Sequence, residues 1–408
     1  MKKGNNFGKF LLLWTGELIS SIGGGLTSFG LGVYIFRQTG SAASMGLVTL
    51  LGFLPTLLLS IPAGVLADRH DRRLLMMIGD GCSALGIIYI LTCMLRGGAS
   101  LPQICAGVFV SAFFSALLEP SFRATITDLL TKEEYSKASG LVSLAGSARY
   151  LLSPIIAGFL LTVSDVKLLL VIDICTFFLT VISTAVVRKG IGSKEAAKRE
   201  AFLQSIRESW RILRAKQGVL FLVAVSSGIT MFIGMLQILE KPFILSFTDE
   251  KTLGIAETVC ACGMLVSGMI LGMKGLKKHY ARTLGISLTA AGLFMAGFGL
   301  CGKLIPVCGF GFLFFAALPF ANNCLDYLVR INMPDEVQGR VWGLIGFISQ
   351  LGYVIAYAVS GAAADAIGRI TGYGTGRGAA VMIFAAGICL AVTAAATLFR
   401  KRIRELEK

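Results

Sequence analysis

The chain has 408 residues, of which 55% are hydrophobic and 15% charged, with a mean hydropathy of +0.77. Soluble domains carry roughly 25% charged residues, so this composition excludes an ordinary soluble protein and predicts an all-α integral membrane protein. The net charge of +15 is attributed to membrane topology and anionic lipid, and we expect no nucleic-acid partner.

The apolar residues fall into twelve stretches, each long enough to cross the hydrocarbon layer, which requires about 20 mainly apolar residues. They are centred near residues 22, 54, 85, 114, 149, 176, 232, 264, 292, 316, 353 and 389. The first continues to about Phe36 without a small-residue cleavage site, which favours a membrane span over a signal peptide. We expect a six-helix bundle over 1–187, a cytoplasmic basic linker over 188–217 and a second six-helix bundle over 218–408.

The linker has the pattern of an amphipathic surface helix. Its apolar positions are Leu203, Ile206, Trp210 and Leu213, and its basic positions are Arg207, Arg211 and Arg214. A helix of this kind lies at anionic headgroups, which makes membrane lipid an expected partner. Lys and Arg also concentrate at both termini and in every second loop. Since basic loops stay in the cytoplasm, we predict a multi-pass plasma-membrane protein with both termini cytoplasmic.

Two sequence features organise the chain further. The loop from Gly64 to Arg73 places a dense cluster of charges between the second and third spans. The second half also repeats the first at an offset near 203 residues: Glu133, Lys137, Gly140 and Leu141 recur as Glu336, Arg340, Gly343 and Leu344. Six spans in each half bring both halves into the bilayer from the same side, which predicts two halves related by an axis along the membrane normal.

The spacing of Gly64, Asp68, Arg69, Arg72 and Arg73 resembles the loop between helices 2 and 3 of the major facilitator superfamily of transporters. This resemblance implies twelve helices in two pseudo-symmetric bundles, alternating access and a small-molecule substrate. The segment Thr39-Gly40-Ser41-Ala42, with Pro55 and Pro62, is similar to the macrolide-efflux and drug-exporter branch. Similarity to this branch implies efflux of amphipathic or hydrophobic molecules. Exchange of the exported molecule for protons is one form of this hypothesis. We expect a monomer.

The resemblance also assigns roles in the loop between helices 2 and 3. Asp68 is expected to face the N-terminal end of helix 11 near 340–343, where the helix dipole favours an anion, and Arg72 to meet Asp128. The predicted conformational latch comprises Gly64, Asp68, Arg69, Arg72, Arg73 and Asp128. The chain departs from the family pattern at Asp71, where the family commonly has Gly although its drug-exporter branch often has a polar residue. In helix 5 the antiporter signature is weakened to Ser153, Pro154 and Gly158. An Arg-x-x-Gln-Gly motif in helix 4 is absent from the sequence.

Several charged residues fall inside predicted spans, where an ionisable group costs about 2.5 to 3.5 kcal/mol and tends to pair, face a cavity or move ions. The candidates for coupling or the substrate cavity are Glu17, Glu119, Arg149 and Glu240. Arg149 lies deepest, so we expect a carboxylate beside it. The sequence leaves four acids open for that role: Glu17, Asp80, Glu119 and Asp173. Asp80 and Asp173 lie on helices that the resemblance makes peripheral, which favours a structural role for them.

Other functions find less support. The sequence has no nucleotide-binding loop, no protease signature and no cysteine or histidine spacing typical of a metal site, so we expect no enzyme, cofactor or metal. Nutrient or metabolite uptake by symport remains an alternative, although 27 Phe residues favour an apolar lining. A transport-incompetent receptor on the same scaffold is a second alternative, because a fold alone does not fix a function.

Overall fold

The computed structural model describes residues 6–188, 210–214, 216–276, 278–333, 338–398 and 407, apart from the side chains of 61, 132, 136, 338–341, 397 and 398. Within these ranges every regular element is helical. Twelve helical segments are long and apolar enough to cross a membrane, which confirms the predicted all-α architecture. Span 4 covers Leu101–Leu129 and span 5 covers Lys137–Val163, and each of these two consists of two helices.

The first half contains eight α-helices in the described residues: α1 (Phe7–Thr39), α2 (Ala42–Arg69), α3 (Arg72–Leu95), α4 (Leu101–Ser115), α5 (Leu118–Leu129), α6 (Tyr135–Leu151), α7 (Ser153–Val163) and α8 (Val166–Arg188). A short 3-10 helix, Lys132–Glu134, lies between α5 and α6. The second half contains α9 (Gln217–Leu245), α10 (Glu250–Lys274), α11 (Tyr280–Leu300), α12 (Leu304–Asn332), α13 (Gln338–Thr371) and α14 (Gly374–Leu398).

Proline explains both interrupted spans. Pro120 in the first turn of α5 and Pro154 in that of α7 lack the N–H that would continue the hydrogen-bond ladder of the preceding helix. The helix is interrupted shortly before each proline: at Ala116 and Leu117, four and three residues before Pro120, and at Leu152, two residues before Pro154. In span 5 the break places Ser153 and Arg149 close to α1, where they form part of the candidate site.

The chain divides into two compact units. The first consists of residues 1–39 and 47–198, and the second of residues 40–46 and 199–408. The first turn of α2 thus belongs to the second unit, while the rest of α2 belongs to the first. A further boundary between the units, at 198/199, falls inside the predicted linker. Of the predicted linker over 188–217 the structure describes 188, 210–214, 216 and 217. Residues 210–214 are helical, with Leu213 buried and Arg211 exposed, while Leu203, Ile206 and Arg207 of the predicted amphipathic pattern lie outside the described residues.

The two units share a pattern of helix packing. In the first, α1 packs against α6, α7 and α8, and α3 packs against α4 and α8. In the second, α9 packs against α13 and α14, and α11 packs against α12 and α14. Corresponding spans therefore pair in both halves, as the internal repeat predicts. Small residues permit this packing: a Cβ added to Gly292 would lie 2.4 Å from the backbone N of Ala391, so the α11 and α14 backbones touch.

Candidate functional site

The charged loop between α2 and α3 is built around Asp71, the N-cap of α3. Its carboxylate accepts hydrogen bonds from the backbone N–H groups of Arg73, at 3.0 Å, and Leu74. The other carboxylate oxygen lies 2.8 Å from Nε of Arg188, the last residue of α8. Asp71 thus starts α3 and ties it to the end of α8.

The surroundings of Asp71 favour its ionised form. Partial burial alone raises the pKa of this carboxyl, but the hydrogen bonds from Arg188 and from the N–H groups of Arg73 and Leu74 outweigh burial. The pKa of Asp71 therefore lies below its ordinary value. At neutral pH Asp71 is an anion at a helix N-terminus, where the partial positive charge of the helix also stabilises it.

Arg72 joins three helices at the same end of the first unit. Its guanidinium lies 2.9 Å from Oδ1 of Asp128, in the last turn of α5, and 3.6 Å from Oδ1 of Asp68 at the end of α2. It also donates to the backbone carbonyls of Ala124, at 3.0 Å, and Ala67, at 3.2 Å. The structure thus brings together Asp68, Arg72 and Asp128, three of the predicted latch residues.

The other latch residues are placed differently. Arg73 is buried, with 4% of its side chain exposed, whereas Arg69 is exposed. Gly64 has open space where a Cβ would lie, so close packing does not require glycine there. The expected partner of Asp68 at 340–343 includes side chains outside the described residues. The function of the latch therefore stays a prediction.

The weakened helix 5 signature contacts α1. Ser153 donates a hydrogen bond from its hydroxyl to the carbonyl of Ile22 at 3.0 Å. A Cβ at Gly25 would lie 2.2 Å from Oγ of Ser153 and 3.2 Å from Cγ of Arg149. Gly25 thus lets α1 approach α6 and α7 closely. Pro154 and Gly158 are also buried, at the start of α7, so this motif packs span 5 on span 1.

Arg149 occupies an acidic neighbourhood without a direct ion pair. Its charge acts on the carboxyl groups of Glu17 on α1 and Asp173 on α8. Among the ion pairs within 4.0 Å in the described residues, however, none involves Arg149. The expectation of a carboxylate in contact with Arg149 is therefore wrong in this structure. The Arg149 side chain is exposed on the surface of the first unit.

Glu119 pairs with its own helix neighbour. One of its carboxylate oxygens lies 2.8 Å from Nη2 of Arg123, four residues later, and both side chains are more than half exposed. The spacing of i and i+4 places them on one face of α5, so sequence could have predicted this pair. The charge of Glu119 is therefore paired with that of Arg123, whereas Glu17 forms no ion pair within 4.0 Å among the described residues.

The second unit holds a buried charge cluster at the C-terminal part of α9. Nζ of Lys241 lies 2.7 Å from Oε1 of Glu257 on α10, with 14% and 11% of these side chains exposed. Glu240 is 9% exposed and its charge acts on Lys241. One turn earlier, Gln237 accepts a hydrogen bond from the hydroxyl of Tyr357 at 2.7 Å. This face of α9 is polar despite the apolar composition of the helix, and it includes the predicted candidate Glu240.

Asp365 on α13 was not among the sequence candidates. It accepts hydrogen bonds from the Ser41 hydroxyl at 2.6 Å and from the N–H groups of Ala42 and Ala43 at 2.9 and 3.0 Å. These are the first N–H groups of α2, so Asp365 caps that helix from another part of the sequence. No local pattern could reveal such a cap, because donor and acceptor are more than 320 residues apart.

Comparison with known proteins agrees with this architecture. The family model of the Major Facilitator Superfamily matches residues 13–357. Macrolide efflux protein A of Streptococcus pyogenes is 29% identical over 384 residues, which cover 90% of this chain and 92% of that protein. Enterobactin exporter EntS of Escherichia coli O81 (strain ED1a) is 26% identical over 345 residues, covering 82% of this chain and 80% of the exporter.

Solved structures resemble the chain over nearly its whole length. A bacterial homolog of the human lysosomal transporter Spinster, in an inward-facing and unoccupied conformation, has a TM-score of 0.76 at 17% identity and covers 99% of this chain and 98% of its own. Nucleoside transporter NupG has a TM-score of 0.71 at 13% identity and covers 96% of this chain and 100% of its own. With twelve spans, the repeated helix packing and a family match over most of the sequence, the chain belongs to the Major Facilitator Superfamily and is a multi-pass membrane transporter.

Proposed function

We propose that this transporter exports amphipathic or hydrophobic small molecules, macrolide-like compounds among them, by alternating access. The observation that carries the proposal is its similarity to Macrolide efflux protein A over more than 90% of that relative, together with similarity to a siderophore exporter. The apolar composition, with 27 Phe residues, suits such cargo. Uptake by symport and a receptor without transport are the competing functions.

Protons are the proposed coupling ion, and Glu17 is the proposed carrier. Glu17 is a half-buried carboxyl on α1 within electrostatic reach of Arg149. Glu119, the other sequence candidate in this half, is engaged by Arg123 and is less suited to exchange protons. The buried Glu240, next to the Lys241–Glu257 pair, offers a second acid in the other unit.

The latch is proposed to govern conformational exchange. Arg72 fastens the ends of α2 and α5 to the start of α3, so this end of the first unit moves as one piece. Asp68, at the end of α2, is the member of this cluster proposed to control the exchange. Neutralising Asp68 should therefore affect transport more than folding.

Erythromycin transport tests the function. Purified protein in liposomes with a defined inside pH should accumulate or release radiolabelled erythromycin according to the imposed pH gradient. The Glu17→Gln variant should lose the gradient response, while the matched control Asp165→Asn, at an exposed ion pair before α8, should keep it.

Each competing reading gives a different result in these assays. Movement that depends on sodium or on no gradient would overturn proton coupling. In cells lacking other pumps, an expressed protein that raises intracellular erythromycin would indicate uptake, and unchanged levels across a panel of amphipathic drugs would indicate a receptor. A fall in intracellular erythromycin is the outcome expected for export.

A further inference from the structure

Asp80 in the middle of α3 is a buried carboxyl group without a protein partner. Only 1% of its surface is exposed, and neither carboxylate oxygen has a hydrogen-bond partner among the described residues. Protein interiors nearly always satisfy buried polar atoms, and an ionised carboxylate without hydrogen bonds is especially unfavourable in apolar surroundings. A carboxyl group that has taken up a proton is neutral and avoids most of that penalty.

A polar seam runs between α1 and α8, and α3, which carries Asp80, packs against α8. On α8 the seam consists of the buried residues Asp173, Thr176, Thr180, Ser183 and Thr184. Glycines on α1 bring its backbone against them: the Thr180 hydroxyl donates to the Gly16 carbonyl at 3.5 Å. On α3, a Cβ at Gly81 would lie 3.9 Å from Val181. Glu17 and Asp80, the neighbours of these two glycines, therefore lie at the level of Thr180 and Val181.

Asp173 lies further along the same seam. It precedes Thr180 by seven residues, which is about two helical turns, or roughly 10 Å, towards the predicted outer end of α8. A Cβ at Gly23 would lie 2.9 Å from Oδ1 of Asp173, so α1 lines the seam at this level as well. The seam thus presents one acid on each of three helices, at two depths.

The charged groups around Asp80 are mainly acidic. The carboxyl groups that act on it are Glu17 from α1 and Asp173 from α8, and α4 carries no charged residue. The remaining charges on α5 and α8 are engaged elsewhere, in the pairs Glu119–Arg123, Arg72–Asp128, Asp165–Lys167 and Asp71–Arg188. On α3 itself Arg73 lies seven residues before Asp80, and on α6 Arg149 acts on Glu17 and Asp173. The two charged groups that act on Asp80 itself are both carboxyl groups, so its neighbourhood disfavours a further negative charge.

We infer that Asp80 is a proton-binding site inside the first unit, which exchanges its proton with Glu17 and Asp173 along this seam. In each transfer the O–H bond of the donating carboxyl group, on Glu17 or Asp173, breaks as an O–H bond forms at a carboxylate oxygen of Asp80, and release reverses the transfer. The inference rests on the proposed proton-coupled export for its role in transport. This inference differs from the proposed function, in which Glu17 carries the proton, because it places a stored proton on Asp80, a residue buried within the first unit.

Infrared spectroscopy tests the site without transport. A protonated carboxyl group has a carbonyl stretch that an ionised carboxylate lacks, and carbon-13-labelled aspartate shifts the bands of aspartates away from those of glutamates. Reconstituted wild-type protein should show a labelled band that disappears as the pH is raised. Asp80→Asn should lack this band, whereas Asp165→Asn should retain it.

Several results of the infrared experiment would overturn the inference. Asparagine copies the shape of the neutral carboxyl group, so Asp80→Asn should fold; failure to recover folded protein would show that the charge is needed and would overturn the inference. The inference would also be overturned if the labelled aspartate band were unchanged in Asp80→Asn, or if labelled wild-type protein showed no such band at any pH. Loss of the band on adding sodium at constant pH would overturn it as well.

A transport assay tests the coupling role. In liposomes, Asp80→Asn should lose the response of erythromycin movement to a pH gradient while keeping downhill movement, and Asp165→Asn should keep both. A retained gradient response in Asp80→Asn would overturn the coupling role. If the wild-type protein moves no erythromycin, the export proposal fails, while the infrared titration still decides whether Asp80 binds a proton.

Discussion

Replacing Asp71 isolates what the first turn of α3 contributes to stability. In Asp71→Ala the helix loses its N-cap, which costs about 1 kcal/mol in typical proteins. The pair with Arg188 is also lost; since 41% of the Arg188 side chain is exposed, solvent screening limits its contribution to at most about 1 kcal/mol. We therefore expect Asp71→Ala to lower the free energy of unfolding by about 1 to 2 kcal/mol.

Asp71→Asn divides this loss into its two parts. Asparagine caps helices as well as aspartate, so only the charge interaction should be lost, a change of under about 1 kcal/mol. Thermal unfolding in detergent, followed by intrinsic fluorescence, should rank wild type above Asp71→Asn and Asp71→Asn above Asp71→Ala. Asp165→Asn, at an exposed ion pair, serves as the control with little effect.

The effect should also depend on pH. The pKa of Asp71 is lower in the folded protein than its ordinary value, so its contribution is present above that ordinary value, near pH 4, and is lost as the pH falls through the folded pKa. The difference in Tm between wild type and Asp71→Asn should therefore shrink below about pH 4. Equal Tm values for all variants at neutral pH, or a difference that grows on acidification, would refute this account of Asp71.

Three further substitutions test other contacts. Asp68→Asn should reduce erythromycin transport in liposomes with normal yield and Tm, and an unchanged transport rate would reject the latch role. Arg149→Ala should lower Tm by removing the base that acts on Glu17, and adding Glu17→Gln should restore part of the loss; strictly additive effects would contradict that coupling. Asp365→Ala should destabilise the detergent-solubilised protein by about 2 kcal/mol, because three donors lose a buried acceptor, and a Tm equal to that of wild type would show that water replaces the cap.

The sequence alone determined the twelve helices, because each depends on a local apolar length that the bilayer thickness sets. The sequence alone did not determine the break in span 5: it falls beside Pro154, but Pro55, Pro62, Pro242 and Pro319 lie inside continuous helices. The contact of Arg72 with Asp128 followed from resemblance to a family whose loop spacing is short and distinctive. The Glu119–Arg123 pair could also have been predicted from the sequence, because residues four apart on a helix lie on the same face.

The tertiary structure alone decided which distant side chains meet. Asp71 and Arg188 are 117 residues apart, and Asp365 caps α2 from the far end of the chain. Likewise, Arg149 lies in the field of two acids without touching either, and Asp80 lies buried among acids. These outcomes depend on how each helix is rotated about its axis. In a soluble helix a polar face reveals that rotation, but a membrane helix is apolar towards both lipid and protein, so the sequence pattern leaves its rotation open.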